Sequence, residues 1–188
     1  MKEIALHIMD IAQNSIRAGA SGIRITLDES VAADSLKLTV SDNGSGMDAE
    51  TLRRATDPWF TSRTTRKVGM GLPLLGMNAS LSGGAMTVES APGKGTTVSA
   101  TFVYSHVDRP PLGDVSGTIA LLIMSNPSVN IEYSHFCEGT EWRISTAEIK
   151  EILGEDAVTD LTIVRAVREI INENVAEVRN FQSGYDKY

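Results

Sequence analysis

The chain has 188 residues, of which 41% are hydrophobic and 22% charged, a composition typical of soluble globular proteins. Its formal net charge of -7 argues against nucleic-acid binding, which requires clustered basic residues. Cys137 is the only cysteine, so an intramolecular disulfide is excluded, and the apolar stretches are too short to span a membrane. We therefore expect a cytoplasmic protein without a membrane segment.

The first 40 residues predict a helix followed by two strands. Apolar residues recur at helical spacing between Ile4 and Ile16, and the glycines of segment 18–22 predict where this helix ends. Apolar and polar residues then alternate over 23–27 and 36–40, which predicts two strands with one buried face each. Residues 28–35 are a plausible hairpin connection.

The middle of the chain predicts a short helix, a loop, a longer helix and two strands. Asp48 is a candidate N-cap for the short helix. Segment 56–71 is basic and lacks periodicity, so it is predicted to be a loop. Helical spacing returns over 72–81, and the segments 86–88 and 98–102 read as strands around a Pro-Gly turn.

The C-terminal part reads as a separate small block. Two adjacent prolines and two glycines make segment 106–117 a predicted linker. The apolar runs 119–124 and 131–136 are interpreted as paired strands. Segments 146–153 and 161–178 are predicted helices, the second with one apolar stripe.

Asp10 and Asn14 are four residues apart on the predicted first helix, so their side chains leave the same face. A carboxamide oxygen is a hard ligand suited to Mg²⁺, and a carboxylate one turn away can act as a general base. The alternative is two polar residues on a solvated helix face.

The segment Asp42-Asn-Gly44-Ser-Gly46-Met47 closes the second predicted strand. The glycines permit close approach of a planar ligand, and the carboxylate can accept a hydrogen bond from an exocyclic amine such as adenine N6. A tight turn without a ligand is the alternative, since Asp-Asn-Gly is common in hairpins.

The segment Gly69-Met70-Gly71-Leu72 opens a predicted helix directly after the basic loop, which contains Arg63, Arg66 and Lys67. Free backbone N–H groups at a helix N-terminus attract anions, and nearby basic side chains strengthen that attraction. This pattern indicates a phosphate site, although glycine at a helix start and a solvated charge run are common for structural reasons alone.

Taken together and in this order, these motifs resemble the GHKL superfamily of gyrase, heat-shock chaperone, histidine-kinase and mismatch-repair ATPases. The resemblance covers residues 1–104, and its lid and closing strand, with Phe60-Thr61 and Gly93-Lys-Gly-Thr96, look most like histidine-kinase catalytic domains. It implies an α+β Bergerat fold, a two-layer sandwich with a mixed, mostly antiparallel sheet packed on helices. The predicted division is an ATP-binding domain at 1–104, a linker at 105–117 and a small α+β appendage at 118–188.

The resemblance also implies roles for individual residues. Asn14 corresponds to the family's magnesium ligand, Asp42 to its adenine-reading aspartate and Thr96 to a late threonine that helps bind adenine. Asp10 occupies the catalytic position, where Asp replaces Glu and shortens the reach by one methylene. The implied ATP-binding residues are Asn14, Asp42, Gly44, Gly46, Met47, Thr61, Arg63, Lys67, Gly69, Met70, Gly71, Leu72 and Thr96.

The resemblance leaves three functions open. The first is a stand-alone kinase that uses Mg²⁺ and ATP to phosphorylate or regulate a separate protein, since the first predicted helix starts at residue 3 and leaves no room for a preceding phosphoacceptor hairpin. The second is a conformational ATPase like those of mismatch repair and chaperones. The third is a non-catalytic ATP/ADP sensor. A protein partner is expected in the first case, and a homodimer remains open.

Overall fold

The computed structural model describes residues 3–57 and 71–180 of the chain. The segments 1–2, 58–70 and 181–188 lie outside the described residues. In chain order the helices and strands are α1 (Ile4–Arg17), β1 (Gly22–Ser30), β2 (Ser35–Asp42), α2 (Ala49–Thr56), α3 (Gly71–Leu81), β3 (Met86–Ala91), β4 (Gly95–Val103), α4 (Val115–Ser125), β5 (Asn130–Cys137), β6 (Thr140–Ser145), α5 (Thr146–Leu153) and α6 (Leu161–Asn180).

The strands described here form one six-stranded sheet in the order β3-β4-β2-β1-β5-β6. Neighbouring strands are antiparallel except for β1 and β5, which are parallel. Helices pack on one face of the sheet and bury its apolar residues together with Ile4, Ile8 and Ile11 of α1. The mixed, mostly antiparallel α+β sandwich predicted from the sequence is confirmed.

Strand β5 joins the C-terminal part of the chain to the same sheet. Its pairing with β1 runs from Gly22 opposite Asn130 to Glu29 opposite Cys137. Residues on both sides of segment 105–117 therefore share one sheet and one continuous core. None of the described helices is both long enough and apolar enough to cross a membrane.

The strand predicted over 119–124 is wrong, because these residues lie in helix α4. A short, continuous apolar run does not distinguish a strand from a buried helix by periodicity. The helix has a side-chain N-cap: Asp114 accepts a hydrogen bond of 2.9 Å from the backbone N–H of Gly117. The strand predicted over 131–136 is confirmed as β5, which pairs in parallel with β1 and antiparallel with β6, a strand that was not predicted.

A buried polar cluster fastens α6 to the sheet. The Glu29 carboxylate, 2% exposed, accepts two hydrogen bonds of 2.8 Å from Arg179 and lies 2.7 Å from Nε2 of His135. Nδ1 of His135 is 2.7 Å from the Tyr133 hydroxyl. Burial raises the pKa of Glu29, but the bonds to His135 and Arg179 outweigh it and lower the pKa to about 2. Glu29 is therefore an ionised and fully paired carboxylate.

Candidate functional site

Asp42 is the last residue of β2 and lies opposite Thr96 of β4. Its Oδ1 atom accepts hydrogen bonds from the backbone N–H groups of Gly44, at 2.8 Å, and Thr96, at 3.3 Å. Its Oδ2 atom accepts a hydrogen bond of 2.6 Å from the Ser15 hydroxyl on α1. Donors from three elements thus fix the carboxylate as a hydrogen-bond acceptor at the base of a cavity.

The turn over residues 43–47 is held tightly against the turn between β3 and β4. Gly46 has a φ of 65°, and a Cβ atom there would lie 1.9 Å from the carbonyl oxygen of Ala91. The backbone N–H of Met47 donates a hydrogen bond of 2.8 Å to the Ser90 hydroxyl. Position 46 therefore requires glycine for both its backbone conformation and the close approach of the two turns.

The hydroxyl of Thr96 is oriented by Ser90. Ser90 Oγ donates to the carbonyl oxygen of Gly95 at 3.0 Å and lies 2.9 Å from Thr96 Oγ1. If Ser90 directs its proton at Gly95 O, Thr96 donates to Ser90, and lone pairs on the Thr96 oxygen remain available to a ligand. Thr96 therefore offers a second acceptor beside Asp42.

Asp10 and Asn14 do share one face of α1, as their spacing predicts. Asn14 Nδ2 lies 3.4 Å from Asp10 Oδ2, and Arg17 Nη1 donates a hydrogen bond of 2.7 Å to Asn14 Oδ1. Gly71, the first residue of α3, packs so closely on Asp10 that a Cβ atom at position 71 would lie 1.6 Å from Asp10 Oδ2. The start of α3 and the polar face of α1 thus meet at one place.

These elements enclose a cavity of about 210 Å³. Its lining residues are Ile11, Asn14, Ser15, Ala18, Asp42, Gly46, Met47, Ala55, Gly71, Leu72, Thr96 and Val98. A cavity of about 150 Å³ holds benzene, so this one accommodates a larger planar ring. Apolar walls with a fixed carboxylate at the base favour a flat, largely apolar ligand that carries an N–H donor.

The structure gathers most of the predicted ligand-binding residues at this cavity. Asn14, Asp42, Gly46, Met47, Gly71, Leu72 and Thr96 line it. Gly44 lies just behind it, bonded to Asp42, and Asp10 lies at its edge against Gly71. The predicted residues Thr61, Arg63, Lys67, Gly69 and Met70 lie outside the described residues.

Two residues with hydroxyl groups at the site were not among the predicted site residues. Ser15, which is 3% exposed, and Ser90 each hold another site residue in place. Ser15 directly follows Asn14 and lies on the buried, mostly apolar stripe of α1. A polar residue at such a position indicates a buried hydrogen-bond partner, and this could have identified Ser15. Ser90 carries no such signal, because its position in β3 alternates like any strand residue.

Comparison with known proteins identifies the family. A family model described as "Histidine kinase-, DNA gyrase B-, and HSP90-like ATPase" matches residues 2–106. The chain belongs to this family. Membership in this ATPase family confirms the resemblance drawn from the motifs.

The curated relatives include proteins named as sensor proteins. The sensor protein kinase FleS of Pseudomonas aeruginosa is 36% identical over 108 residues, which are 57% of this chain and 26% of that protein. The non-motile and phage-resistance protein of Caulobacter vibrioides is 31% identical over 115 residues, 58% of this chain and 14% of that protein. The chain thus spans about a quarter or less of the length of these curated relatives.

A solved structure with the same fold is the N-terminal domain of a DNA repair protein. It aligns with a TM-score of 0.55 at 17% identity, over 83% of this chain and 58% of that one. The alignment therefore extends beyond the family region into the C-terminal part. At this identity the likeness shows the fold alone.

Proposed function

We propose that the cavity binds the adenine of ATP and that the chain acts as a histidine-kinase-type domain which phosphorylates or regulates a separate protein. One observation carries this proposal: the Asp42 carboxylate, held by Ser15, Gly44 and Thr96, faces an apolar cavity. An ionised carboxylate only accepts hydrogen bonds. It suits the N6 amine of adenine and disfavours the O6 carbonyl of guanine.

The polar face of α1 is proposed to hold the magnesium ion and the phosphates. Asn14 lines the cavity and offers a carboxamide oxygen, and Asp10 lies beside it, so the donors fit a hard cation that takes most of its shell from water and phosphate. Arg17 occupies Asn14 Oδ1 and would have to release it. When bound, Mg²⁺ supplies charge neutralisation at the phosphates.

Asp10 is proposed to act on the acceptor side of the reaction. Its carboxylate lies against Gly71, where the N-terminus of α3 presents backbone N–H groups suited to an anion. Asp10 could then orient the acceptor hydroxyl, imidazole or water at the terminal phosphate. Thr61, Arg63, Lys67, Gly69 and Met70, all outside the described residues, are proposed to contribute the phosphate-binding lid.

Two observations favour a kinase acting on another protein over the two alternatives. The curated relatives named above include a sensor protein kinase. Asp10 in place of Glu disfavours hydrolysis by the route that depends on Glu. We further propose that residues 118–188, which follow the family match at 2–106, have a role separate from nucleotide binding although they share the sheet. A cytoplasmic location also remains a proposal.

Incubation with γ-labelled ATP separates the three functions. Label on a co-purified protein, lost in Asp10→Asn, is the result expected for the kinase. Free phosphate release that is lost in the same variant would favour the conformational ATPase. ATP binding without either reaction would favour the sensor. A Lys37→Gln variant, on the exposed face of β2, controls for general effects of charge removal.

A further inference from the structure

A groove runs between α4 and α6, entirely outside the region that matches the family. It has a volume of about 370 Å³. Its apolar walls are formed by Leu121 and Met124 of α4 and by Leu161 and Val164 of α6. Every residue of the groove lies between positions 114 and 168, whereas the family match covers residues 2–106. The shared ATPase function therefore does not account for it.

Large apolar side chains are exposed to solvent in this groove. Leu121 is 45% exposed and Leu161 is 62% exposed. Both line the same groove between two helices that pack together, so they belong to one patch rather than being scattered surface residues. Exposed apolar patches with a polar rim are typical of protein interaction sites.

The rim of the groove is positively charged in an acidic protein. Arg165 and Arg168 border the patch, whereas the whole chain has a formal net charge of -7. Arg168 is paired with Asp114 at 3.0 Å. Arg165 is exposed and has no ion pair within residues 3–57 and 71–180. The charged side chains that line the groove, Arg165, Arg168 and Asp114, thus carry a net positive charge.

We propose that this groove docks an acidic amphipathic helix of a partner protein. A groove between two helices accepts the apolar face of a third helix, which inserts side chains at i, i+3, i+4 and i+7. Carboxylates flanking that face would pair with Arg165 and, in exchange with Asp114, with Arg168. The net negative charge of the chain elsewhere disfavours binding of the same helix outside the groove.

The groove is connected to the ATP-binding helix. Helix α4 packs on α1. The segment that leads into α4 is also bonded to the start of α1, because Ile4 N–H donates to Pro111 O and Ala5 N–H to Leu112 O, both at 2.9 Å. A docked partner would therefore lie on a helix in direct contact with the helix that carries Asp10. The proposed docking site depends on the proposed function in one respect only, namely that the chain has a protein partner.

The test uses a fluorescein-labelled amphipathic peptide of ~18 residues, about five helical turns, with leucines on one face and glutamates on the other. Fluorescence anisotropy with the full chain should show saturable binding. Arg165→Glu should weaken it by at least tenfold and Leu121→Asp should abolish it. A Lys37→Glu variant, with the charge reversed on the exposed face of β2, should bind like the wild type.

Control measurements of ATP binding, of a second peptide and of the oligomeric state complete the test. Both groove variants should retain wild-type ATP binding, which shows that they are folded and separates this proposal from the ATP site. Equal binding of a matched leucine–lysine peptide, or no effect of Arg165→Glu, would overturn the proposal. A concentration-dependent dimer that dissociates in Leu121→Asp would also overturn it, by making a second copy of the chain the occupant.

Discussion

Ser15 and Asp42 are joined by a hydrogen bond of 2.6 Å that links helix α1 to the end of strand β2. Ser15 therefore orients the carboxylate on which the proposed adenine contact depends. The same helix carries Asp10 and Asn14 on its neighbouring face. Helix α1 thus contributes residues to both the proposed base-binding part and the proposed phosphate-binding part of the site.

Replacing Ser15 with alanine should weaken ATP binding. A hydrogen bond to a charged group is worth about 1.5–3 kcal/mol. Without this bond the Asp42 carboxylate is less well oriented, so the affinity for ATP should fall roughly tenfold. Isothermal titration calorimetry measures this effect. A Ser99→Ala variant, which removes a hydroxyl of β4 remote from the cavity, should bind ATP normally, and an equal loss in both variants would contradict the proposed role of Ser15.

Gly46 and Gly93 provide a matched pair for testing the turn. Both have positive φ angles, 65° and 70°, but a Cβ atom at position 46 would collide with Ala91 O at 1.9 Å, whereas position 93 has nothing within 4 Å. Gly93→Ala should cost only the backbone strain, about 1 kcal/mol. Gly46→Ala should cost more and also abolish ATP binding. Urea unfolding and calorimetry check both effects, and similar stabilities of the two variants would refute the argument.

Glu29 should dominate the acid sensitivity of the fold. Its pKa falls from an ordinary value of 4.5 to about 2, so its contribution to the free energy of unfolding is fully present above pH 4.5 and is lost as the pH falls toward 2. Glu29→Gln should remove that pH dependence. At pH 7 it should cost on the order of 3 kcal/mol, because Arg179 and His135 lose an ionised partner.

Unfolding by urea at pH 7 and at pH 3 measures both consequences. Asp28→Asn is the matched control, because Asp28 is the exposed neighbour on the same strand. It should leave the stability at both pH values close to that of the wild type. If Glu29→Gln lost as much unfolding free energy between pH 7 and pH 3 as the wild type, other carboxylates would control acid unfolding.

The ATP-binding half of the fold was largely predictable from the sequence. Regular alternation predicted β1 and β2, and the acidic cap at Asp48 is confirmed by its hydrogen bond of 2.7 Å from Thr51 N–H. Asp42 and Thr96 lie 54 positions apart in the sequence. They were nevertheless predicted to share one site, because the family resemblance implies an adenine contact for both residues. Helix α3 begins at Gly71, one residue before its predicted start.

The C-terminal half was harder to predict because its signals are tertiary. The apolar run 119–124 fits both a buried strand and a buried helix, and it becomes a helix that packs on α1 and α6. The parallel pairing of β5 with β1 joins residues more than 100 positions apart, which no local pattern records. Ser15 was missed for a similar reason, since its partner Asp42 lies on another element.

The most direct test of the central claim is calorimetric titration of Mg-ATP into the wild type and Asp42→Asn. In the variant, Oδ1 can still accept the bonds from Gly44 and Thr96, so folding should persist, but an amide N–H₂ replaces the acceptor Oδ2. The wild type should bind Mg-ATP, and the variant should lose roughly 10- to 100-fold in affinity, which corresponds to a charge-assisted hydrogen bond of about 1.5–3 kcal/mol. Equal ATP affinity in a folded variant would contradict that claim.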